Sequence, residues 1–233
     1  AFSPDGQEVL IASYDHTAKL WSTASGLCLR TFEGHGERVM SAVFSPDGQE
    51  VLTASRDETA KLWSTASGEC LRTFEEHIDT VRSAAFSPDG QEVLTASYDE
   101  TAKLWSTASG ECLHTFVGHR DFLKSAAFSP DGQEVLTTSC DHAAKLWSTA
   151  SGECLRTFEG HVHIVTSAAF SPDGQDVLTA SNDNTVKLWS TASGECLHTF
   201  EGHGDSFQSA AFSPDGQEVL IASYDHTAKL WST

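Results

Sequence analysis

Short hydrophobic and polar runs alternate along the chain and return every 42 residues. In the clearest copy, residues 39–76, the apolar runs VMSAVF, EVLTAS, AKLW and CLRTF are separated mainly by the polar stretches SPDG, DET and STASGE. Pro46 and Gly48 favour a turn, because proline fixes φ and glycine accepts a positive φ. Asp57 can close a second turn through its side chain. The pattern predicts four short antiparallel strands, here named A, B, C and D.

The same unit fills the whole chain, with no linker between copies. A four-stranded unit is too small to be stable alone, and tandem units become stable by packing against their neighbours. We therefore expect one domain, residues 1–233, made of units at about 1–34, 35–76, 77–118, 119–160, 161–202 and 203–233. One tryptophan marks each unit, at Trp21, Trp63, Trp105, Trp147, Trp189 and Trp231.

The repeat also carries a family motif. Gly34-His35 precedes Trp63 by 28 residues from the histidine, with FSPDG and S-x-D between them. This pattern resembles the WD40-repeat β-propeller family over essentially the entire chain, although the usual Trp-Asp is Trp63-Ser64 here and Glu76-His77 replaces one Gly-His pair. The resemblance implies an all-β propeller of four-stranded antiparallel blades.

Counting strands predicts six blades, of which the last lacks its D strand. A segment of a longer array, or an assembly closed between chains, is the alternative. An unpaired C strand in the last blade is an edge that can recruit another chain, so self-association through this edge is expected. Residues 1–23 and 211–233 are identical, which indicates recent copying of the unit.

Composition narrows the functions. The chain has 14 Lys and Arg against 33 Asp and Glu, a net charge of −19, which disfavours general binding to nucleic acid or to anionic membranes. No apolar run approaches the roughly 20 residues of a membrane span. Five cysteines recur in the D strands too far apart for disulfides, and we predict that their side chains are buried and reduced, in an intracellular, cytoplasmic protein. They are Cys28, Cys70, Cys112, Cys154 and Cys196.

Each unit from the second onward carries His, Ser, Asp and Trp at fixed spacing. These side chains could suggest nucleophilic catalysis, but five equivalent copies do not make one catalytic cleft. The resemblance implies a buried hydrogen-bond chain from Trp through Ser and His to Asp. The serine column is unchanged in every copy, whereas the Thr53 column becomes Ile11 and Ile221, so serine is the predicted member. The predicted structural tetrads are His35, Ser55, Asp57, Trp63; His77, Ser97, Asp99, Trp105; His119, Ser139, Asp141, Trp147; His161, Ser181, Asp183, Trp189; and His203, Ser223, Asp225, Trp231.

We therefore predict a protein that is not an enzyme, with no catalytic residues, no cofactor and no metal. His16, His142 and His226 follow the turn aspartate, but one histidine per unit does not gather the three or four ligands of a metal site. They are interpreted as solvent-facing turn residues.

The copies differ mainly after the junction histidine and beside the turn aspartate. Both places belong to one rim of the sheets, formed by the D–A loops and B–C turns and here called the top face. By resemblance to the family, three positions per blade on this face contact partners. They are Arg38, Met40, Arg56; Thr80, Arg82, Tyr98; Phe122, Lys124, Cys140; Ile164, Thr166, Asn182; and Ser206, Gln208, Tyr224, with Tyr14 matching from the first unit.

Charge gives this face a preference. The repeated P-D-G-Q-E/D turns place acids at the opposite rim, whereas Arg38, Arg56, Arg82, Arg120 and Lys124 lie on the top side. The sequence thus predicts a scaffold that binds a protein or peptide, favouring acidic or phosphorylated segments. The alternative is a structural repeat array, or an engineered or fragmentary propeller, without a dedicated partner.

Overall fold

The computed structural model describes residues 1–233, except for the side chain of Gln208. The described chain is built from strands and turns, with no helix. Among these residues, therefore, no helix is long and apolar enough to span a membrane. The strands are β1 (Glu8–Ala12), β2 (Ala18–Ser22), β3 (Cys28–Phe32), β4 (Val39–Phe44), β5 (Glu50–Ser55), β6 (Ala60–Ser64), β7 (Cys70–Phe74), β8 (Val81–Phe86), β9 (Glu92–Ser97), β10 (Thr101–Ser106), β11 (Cys112–Val117), β12 (Leu123–Phe128), β13 (Glu134–Ser139), β14 (Ala144–Ser148), β15 (Cys154–Phe158), β16 (Val165–Phe170), β17 (Asp176–Ser181), β18 (Val186–Ser190), β19 (Cys196–Phe200), β20 (Phe207–Phe212), β21 (Glu218–Ser223) and β22 (Ala228–Ser232).

The strands form six sheets, and within each sheet strands that are consecutive in the sequence pair antiparallel. Sheets 2 to 5 are β4–β7, β8–β11, β12–β15 and β16–β19, so the predicted four-stranded meander is confirmed. Sheet 1 (β1–β3) and sheet 6 (β20–β22) have three strands each. In sheet 1 a single bridge between Phe2 and Val9 stands where an A strand would lie. In sheet 6 the C strand, β22, forms the edge, as predicted.

Strands B and C keep one register from sheet to sheet. In sheet 2, Val51 lies opposite Trp63, and Thr53 lies opposite Lys61. Side chains two residues apart on a strand share a face, so Val51, Thr53 and Ser55 point to the same side. This register decides which hydroxyl the tryptophan can reach, as described below.

The turn between strands A and B is closed by an aspartate. The Ser45 hydroxyl donates to Asp47 Oδ1 at 2.7 Å, and the Gln49 backbone N–H donates to the same oxygen at 3.0 Å. Gly48 supplies the positive φ, 73°, that the turn needs. The bonds from Ser45 and Gln49 lower the pKa of Asp47, so this rim keeps its negative charge. The pKa is lowered in the same way at Asp5, Asp89, Asp131, Asp173 and Asp215.

The chain divides into two compact units, Ala1–Thr115 and Phe116–Thr233. In the first unit, Leu52 and Leu62 of sheet 2 pack against Trp105 of sheet 3 within one buried cluster. The side of a sheet that carries these leucines is here called its Leu face, and the side that carries the tryptophan its Trp face. Apolar packing of Leu face on Trp face holds neighbouring sheets together.

The second unit is built in the same way. Leu178 and Leu188, on the Leu face of sheet 5, pack against Val219 and Ile221 of sheet 6, with Trp231 partly buried at the same contact. Sheets 4 and 5 share an equivalent cluster. Each sheet lies inside one of the six predicted repeat units; that these units form a single domain stays a prediction.

The prediction that the repeated cysteines are buried is wrong. Cys28, Cys70, Cys154 and Cys196 are exposed and Cys112 is half-buried. The D strand has an unpaired outer edge, so its first residues face solvent, whereas the phenylalanine at its end enters the core. The described cysteines are all free thiols.

Candidate functional site

In each repeat the loop between strands D and A meets the turn between strands B and C at the top face. In the second repeat the Gly36 backbone N–H donates to Asp57 Oδ2 at 2.8 Å, and the Arg56 N–H donates to the Arg38 carbonyl at 2.9 Å. Asp57 thus ties the two loops together, as expected for a turn aspartate whose carboxylate replaces missing backbone partners.

A buried hydrogen-bond chain supports these loops from below. His35 Nδ1 lies 2.8 Å from Asp57 Oδ2, and His35 Nε2 lies 2.7 Å from Thr53 Oγ1. Trp63 Nε1 donates to the same Thr53 oxygen at 2.8 Å. With Nδ1 protonated, the imidazole donates to Asp57 and accepts the threonine proton, so each group of the chain has a partner. The same chain joins His77, Thr95, Trp105 and Asp99; His119, Thr137, Trp147 and Asp141; and His161, Thr179, Trp189 and Asp183.

The prediction that serine links His to Trp is therefore wrong, since threonine does so. The cross-strand register explains this. Trp63 lies opposite Val51, and its indole reaches diagonally to the next residue on that face, Thr53. Ser55 lies one step further along the strand and is out of line with the indole. The four serines replaced in this role are Ser55, Ser97, Ser139 and Ser181.

Serine has a different and equally structural task. The Ser55 hydroxyl donates to the Glu37 carbonyl at 3.1 Å and accepts from the Asp57 backbone N–H at 3.1 Å. Ser223 makes the equivalent bonds in the last repeat, to the Asp205 carbonyl and from Asp225. These bonds depend on the loop backbone and not on the tetrad, which is why serine is constant even where threonine is lost.

In the last repeat, Ile221 interrupts the hydrogen-bond chain. His203 Nδ1 still lies 2.7 Å from Asp225 Oδ2, but Ile221 offers no hydroxyl. His203 Nε2 and Trp231 Nε1 are consequently buried without a hydrogen-bond partner among the described residues. The predicted tetrad of His203, Ser223, Asp225 and Trp231 is thus reduced to the His–Asp pair.

Burial and hydrogen bonding set the protonation states of the aspartate and histidine in the hydrogen-bond chain. Partial burial opposes ionisation of Asp99, but the hydrogen bonds from His77 and Thr101 outweigh it and hold the pKa of Asp99 at about 2. Burial lowers the pKa of His161, although its partner Asp183 acts in the opposite direction. At neutral pH the pairs are thus an ionised carboxylate and, for His161, a neutral imidazole, which suits loop fixation.

An Asp–His–Thr chain contains the groups of a catalytic triad, yet its chemistry is closed off here. Thr53 and its equivalents in the next three repeats are fully buried. The threonine oxygen already accepts from the tryptophan, so no substrate reaches it. Nucleophilic catalysis requires an exposed, activated oxygen beside a binding cleft.

Metal binding finds no support in the described part of the chain. No group of three or more His, Cys, Asp or Glu side chains there is placed to hold an ion. His16, His142 and His226 are exposed and have positive φ angles of 68° to 73°. These three residues are turn residues at the tip of the B–C turns.

The structure brings together two of the three predicted partner positions of each repeat. The residue before the turn aspartate donates its backbone N–H to the residue three after the histidine, at 2.9 to 3.0 Å. The two side chains therefore start from neighbouring points on the top face. The pairs are Arg56 and Arg38, Tyr98 and Thr80, Cys140 and Phe122, Asn182 and Ile164, and Tyr224 and Ser206.

Exposure separates these positions. Arg38, Arg56, Phe122 and Tyr224 are exposed, whereas Thr80 is buried and has little surface to offer a partner. Gln208 lies outside the described side chains. The remaining predicted positions are half-buried, namely Met40, Arg82, Tyr98, Lys124, Cys140, Ile164, Thr166, Asn182 and Ser206.

The arginines of the first compact unit, Ala1–Thr115, fall into two groups. Arg30 and Arg72, on D strands, donate to backbone carbonyls of the next repeat, Arg30 to the Ala66 carbonyl at 2.8 Å. Arg38, Arg56 and Arg82, on the top face, form no ion pair with any described residue. Arg38 instead lies over the Tyr14 ring, 4.9 Å from its centroid. The charge of these three top-face guanidinium groups is therefore not neutralised by a carboxylate of the described chain.

The partner positions predicted from the sequence do not include two further exposed residues of the top loops. Ile78 and Val162 directly follow a junction histidine and are 82% and 78% exposed. An aliphatic side chain in a loop position that holds glycine in two other repeats was the available signal. Such exposed apolar groups suit contact with a protein surface.

The family model described as "WD domain, G-beta repeat" matches residues 1–22, 26–64, 68–106, 110–148, 152–190 and 194–232. The chain belongs to the WD40-repeat family. Each matched repeat from the second onward joins the D strand of one sheet to strands A, B and C of the next. The propeller fold predicted from the motif is confirmed by this membership and by the antiparallel sheets.

A human relative shows the same repeat. "WD repeat-containing protein 86" from Homo sapiens is 54% identical over 35 residues, which is 15% of this chain and 9% of that protein. The chain thus aligns with only a small part of the relative's length. WD40 domains are in general scaffolds for protein interaction and are typically non-enzymatic.

Proposed function

We propose that this WD40 domain binds acidic or phosphorylated protein segments on the top face of its first compact unit, Ala1–Thr115. The observation that carries the proposal is that Arg38, Arg56 and Arg82 form no ion pair within the described chain. A guanidinium group holds a carboxylate or phosphate through two parallel hydrogen bonds.

The local geometry supports a shared anion site. Arg56 and Arg38 are joined by a backbone hydrogen bond, so their side chains rise from adjacent positions. Tyr14 packs under the Arg38 guanidinium, which limits its motion and lowers the entropy lost on binding. The aspartates of the A–B turns keep their charge at the opposite rim, so an anionic segment is steered toward the arginines.

Two other predicted positions of residues 1–115 extend the proposed contact surface. Tyr98 and Met40 add aromatic and thioether area beside the arginines. Tyrosine and arginine are common among the residues that dominate binding energy. The free thiols, four of them exposed, support a reducing intracellular compartment for this activity.

Binding to an arrayed peptide library tests the proposal. The library presents acidic and phosphoserine peptides beside neutral peptides of the same length. We expect the acidic and phosphorylated peptides to bind preferentially, and the triple variant Arg38→Ala, Arg56→Ala, Arg82→Ala to lose this binding by at least tenfold.

The control is the triple variant Arg30→Ala, Arg72→Ala, Arg156→Ala, which removes the same charge from the D strands. It should retain binding if circular dichroism shows it folded. Equal binding of neutral peptides, or unchanged binding by the top-face variant, would refute the anion preference.

A further inference from the structure

The Trp face of sheet 1 and the Leu face of sheet 6 carry exposed apolar side chains whose equivalents in other sheets are largely buried. The Trp face of sheet 6 is formed by Phe212, Val219, Ile221 and Trp231, and it packs on the Leu face of sheet 5. Ile221 is 0% exposed in that contact. The structure therefore shows what this set of residues binds when a Leu face is next to it.

Sheet 1 presents the same set of side chains, two of which are exposed. Residues 1–23 repeat residues 211–233, so Phe2, Val9, Ile11 and Trp21 stand where sheet 6 has Phe212, Val219, Ile221 and Trp231. Phe2 is 69% exposed and Ile11 is 49% exposed. The Trp face of sheet 1 is thus a copy of a surface that is buried elsewhere in the chain.

Sheet 6 presents the complementary face. Leu220 and Leu230 are 51% and 59% exposed, whereas the equivalent Leu178 and Leu188 of sheet 5 are 1% and 6% exposed. Ala222 and Ala228 take the places of Ala180 and Val186, so the chemistry of the Leu face is retained. Contiguous exposed apolar surface of this kind is typical of interaction sites.

We propose that the Leu face of sheet 6 binds the Trp face of sheet 1 in a second copy of this chain. The contact reuses a packing already present inside each compact unit, between a Leu face and a Trp face of similar composition. It is head-to-tail, because the two partners contribute different surfaces. Such contacts either close into rings or grow into open chains of copies.

Ionic strength gives this association a distinct signature. Each copy carries a net charge of −19, so approach of two copies is opposed by long-range repulsion that salt screens. Self-association should strengthen with added salt, whereas binding of acidic peptides to the arginines should weaken. The two proposals are therefore separable in one titration.

Sedimentation velocity of the 233-residue chain over a range of concentrations tests the proposal. We expect wild type to form species larger than a monomer, and Ile11→Glu or Leu230→Glu to be monomeric alone. Because each variant keeps one intact face, an equimolar mixture should form a one-to-one dimer and nothing larger. Val162→Glu, which adds the same charge at an exposed loop residue, should associate as wild type does.

A monomeric wild type at every concentration and salt level would overturn the proposal, and so would a mixture of the two variants that forms no dimer. The pair Phe2→Ser and Leu220→Ser repeats the complementation with smaller changes, should a glutamate variant prove unfolded by circular dichroism. Association that survives in each single variant would show that other surfaces carry it.

Discussion

At the residue scale, a single hydroxyl decides whether a repeat completes its polar chain. Thr53 Oγ1 accepts from Trp63 at 2.8 Å and lies 2.7 Å from His35 Nε2, and the equivalent distances in three further repeats are 2.7 to 2.9 Å. Isoleucine at the same position in the last repeat leaves two buried nitrogens without partners in the described structure. A buried donor or acceptor without a partner costs about 1–3 kcal/mol.

Ile221→Thr should repair the last repeat. The new hydroxyl would lie between His203 Nε2 and Trp231 Nε1, as Thr179 lies between His161 and Trp189. Ile221→Val is the matched control, because valine has the shape of threonine without the hydroxyl. We expect the threonine variant to be more stable than the valine variant by about 1–3 kcal/mol in urea unfolding. Equal stability would show that the orphaned nitrogens cost nothing.

At the element scale, strand spacing is set by turns whose backbone is under local constraint. The B–C turn places the residue after its aspartate in the left-handed region, with φ of 70° at Glu58 and 69° at Glu100. Asparagine and histidine tolerate this conformation better than glutamate, and other repeats have Asn184 or His16, His142 and His226 at this turn position. The turn is therefore formed because the Asp57 bonds and strand pairing outweigh the preference of glutamate.

Replacing glutamate by asparagine at this turn should stabilise the protein. Left-handed backbone is unfavourable for most L-residues by about 1–2 kcal/mol, and asparagine reduces that cost. We expect Glu58→Asn with Glu100→Asn to raise the unfolding free energy by roughly 0.5–1 kcal/mol in total. Glu33→Asn removes the same charge from an exposed loop residue without a positive φ. If this control stabilises as much per substitution, the gain comes from charge and not from backbone conformation.

At the scale of the whole molecule, stability comes from contacts between successive sheets. In each compact unit the Leu face of one sheet covers the Trp face of the next, so sheets 2 and 5 are held on both sides. A repeat protein of this kind behaves as a sum of units and nearest-neighbour interfaces. Position along the array should then decide the cost of a substitution more than residue type.

Leu62→Ala and Leu230→Ala compare one residue type at two positions. Leu62 is 2% exposed between sheets 2 and 3, whereas Leu230 lies on the open Leu face of sheet 6. We expect Leu62→Ala to cost about 2–5 kcal/mol of unfolding free energy, and Leu230→Ala less than about 1 kcal/mol in dilute protein. Urea unfolding followed by tryptophan fluorescence measures both, and similar costs would contradict nearest-neighbour stabilisation.

The repeat made much of the fold predictable. The 42-residue period, the turn residues Pro46 and Gly48 and the four apolar runs gave the strands of sheet 2 within a residue or two. The same pattern placed the D–A loop beside the B–C turn, which the Asp57 bonds confirm. Local chemistry was enough here, because each feature depends on residues within one unit.

Side-chain partners were harder to predict. Serine is constant along the array, which favoured Ser55 as the tetrad hydroxyl, but the register of β5 and β6 places Thr53 beside the indole. Cys70 is exposed because the outer edge of its D strand is unpaired. Sequence by itself determined the repeat, the turns, the acidic balance and the family. Only tertiary structure decided which hydroxyl meets the indole, which arginines remain unpaired and which apolar faces stay open. Those properties depend on strand register and on the presence of a neighbouring sheet, which an individual repeat does not encode.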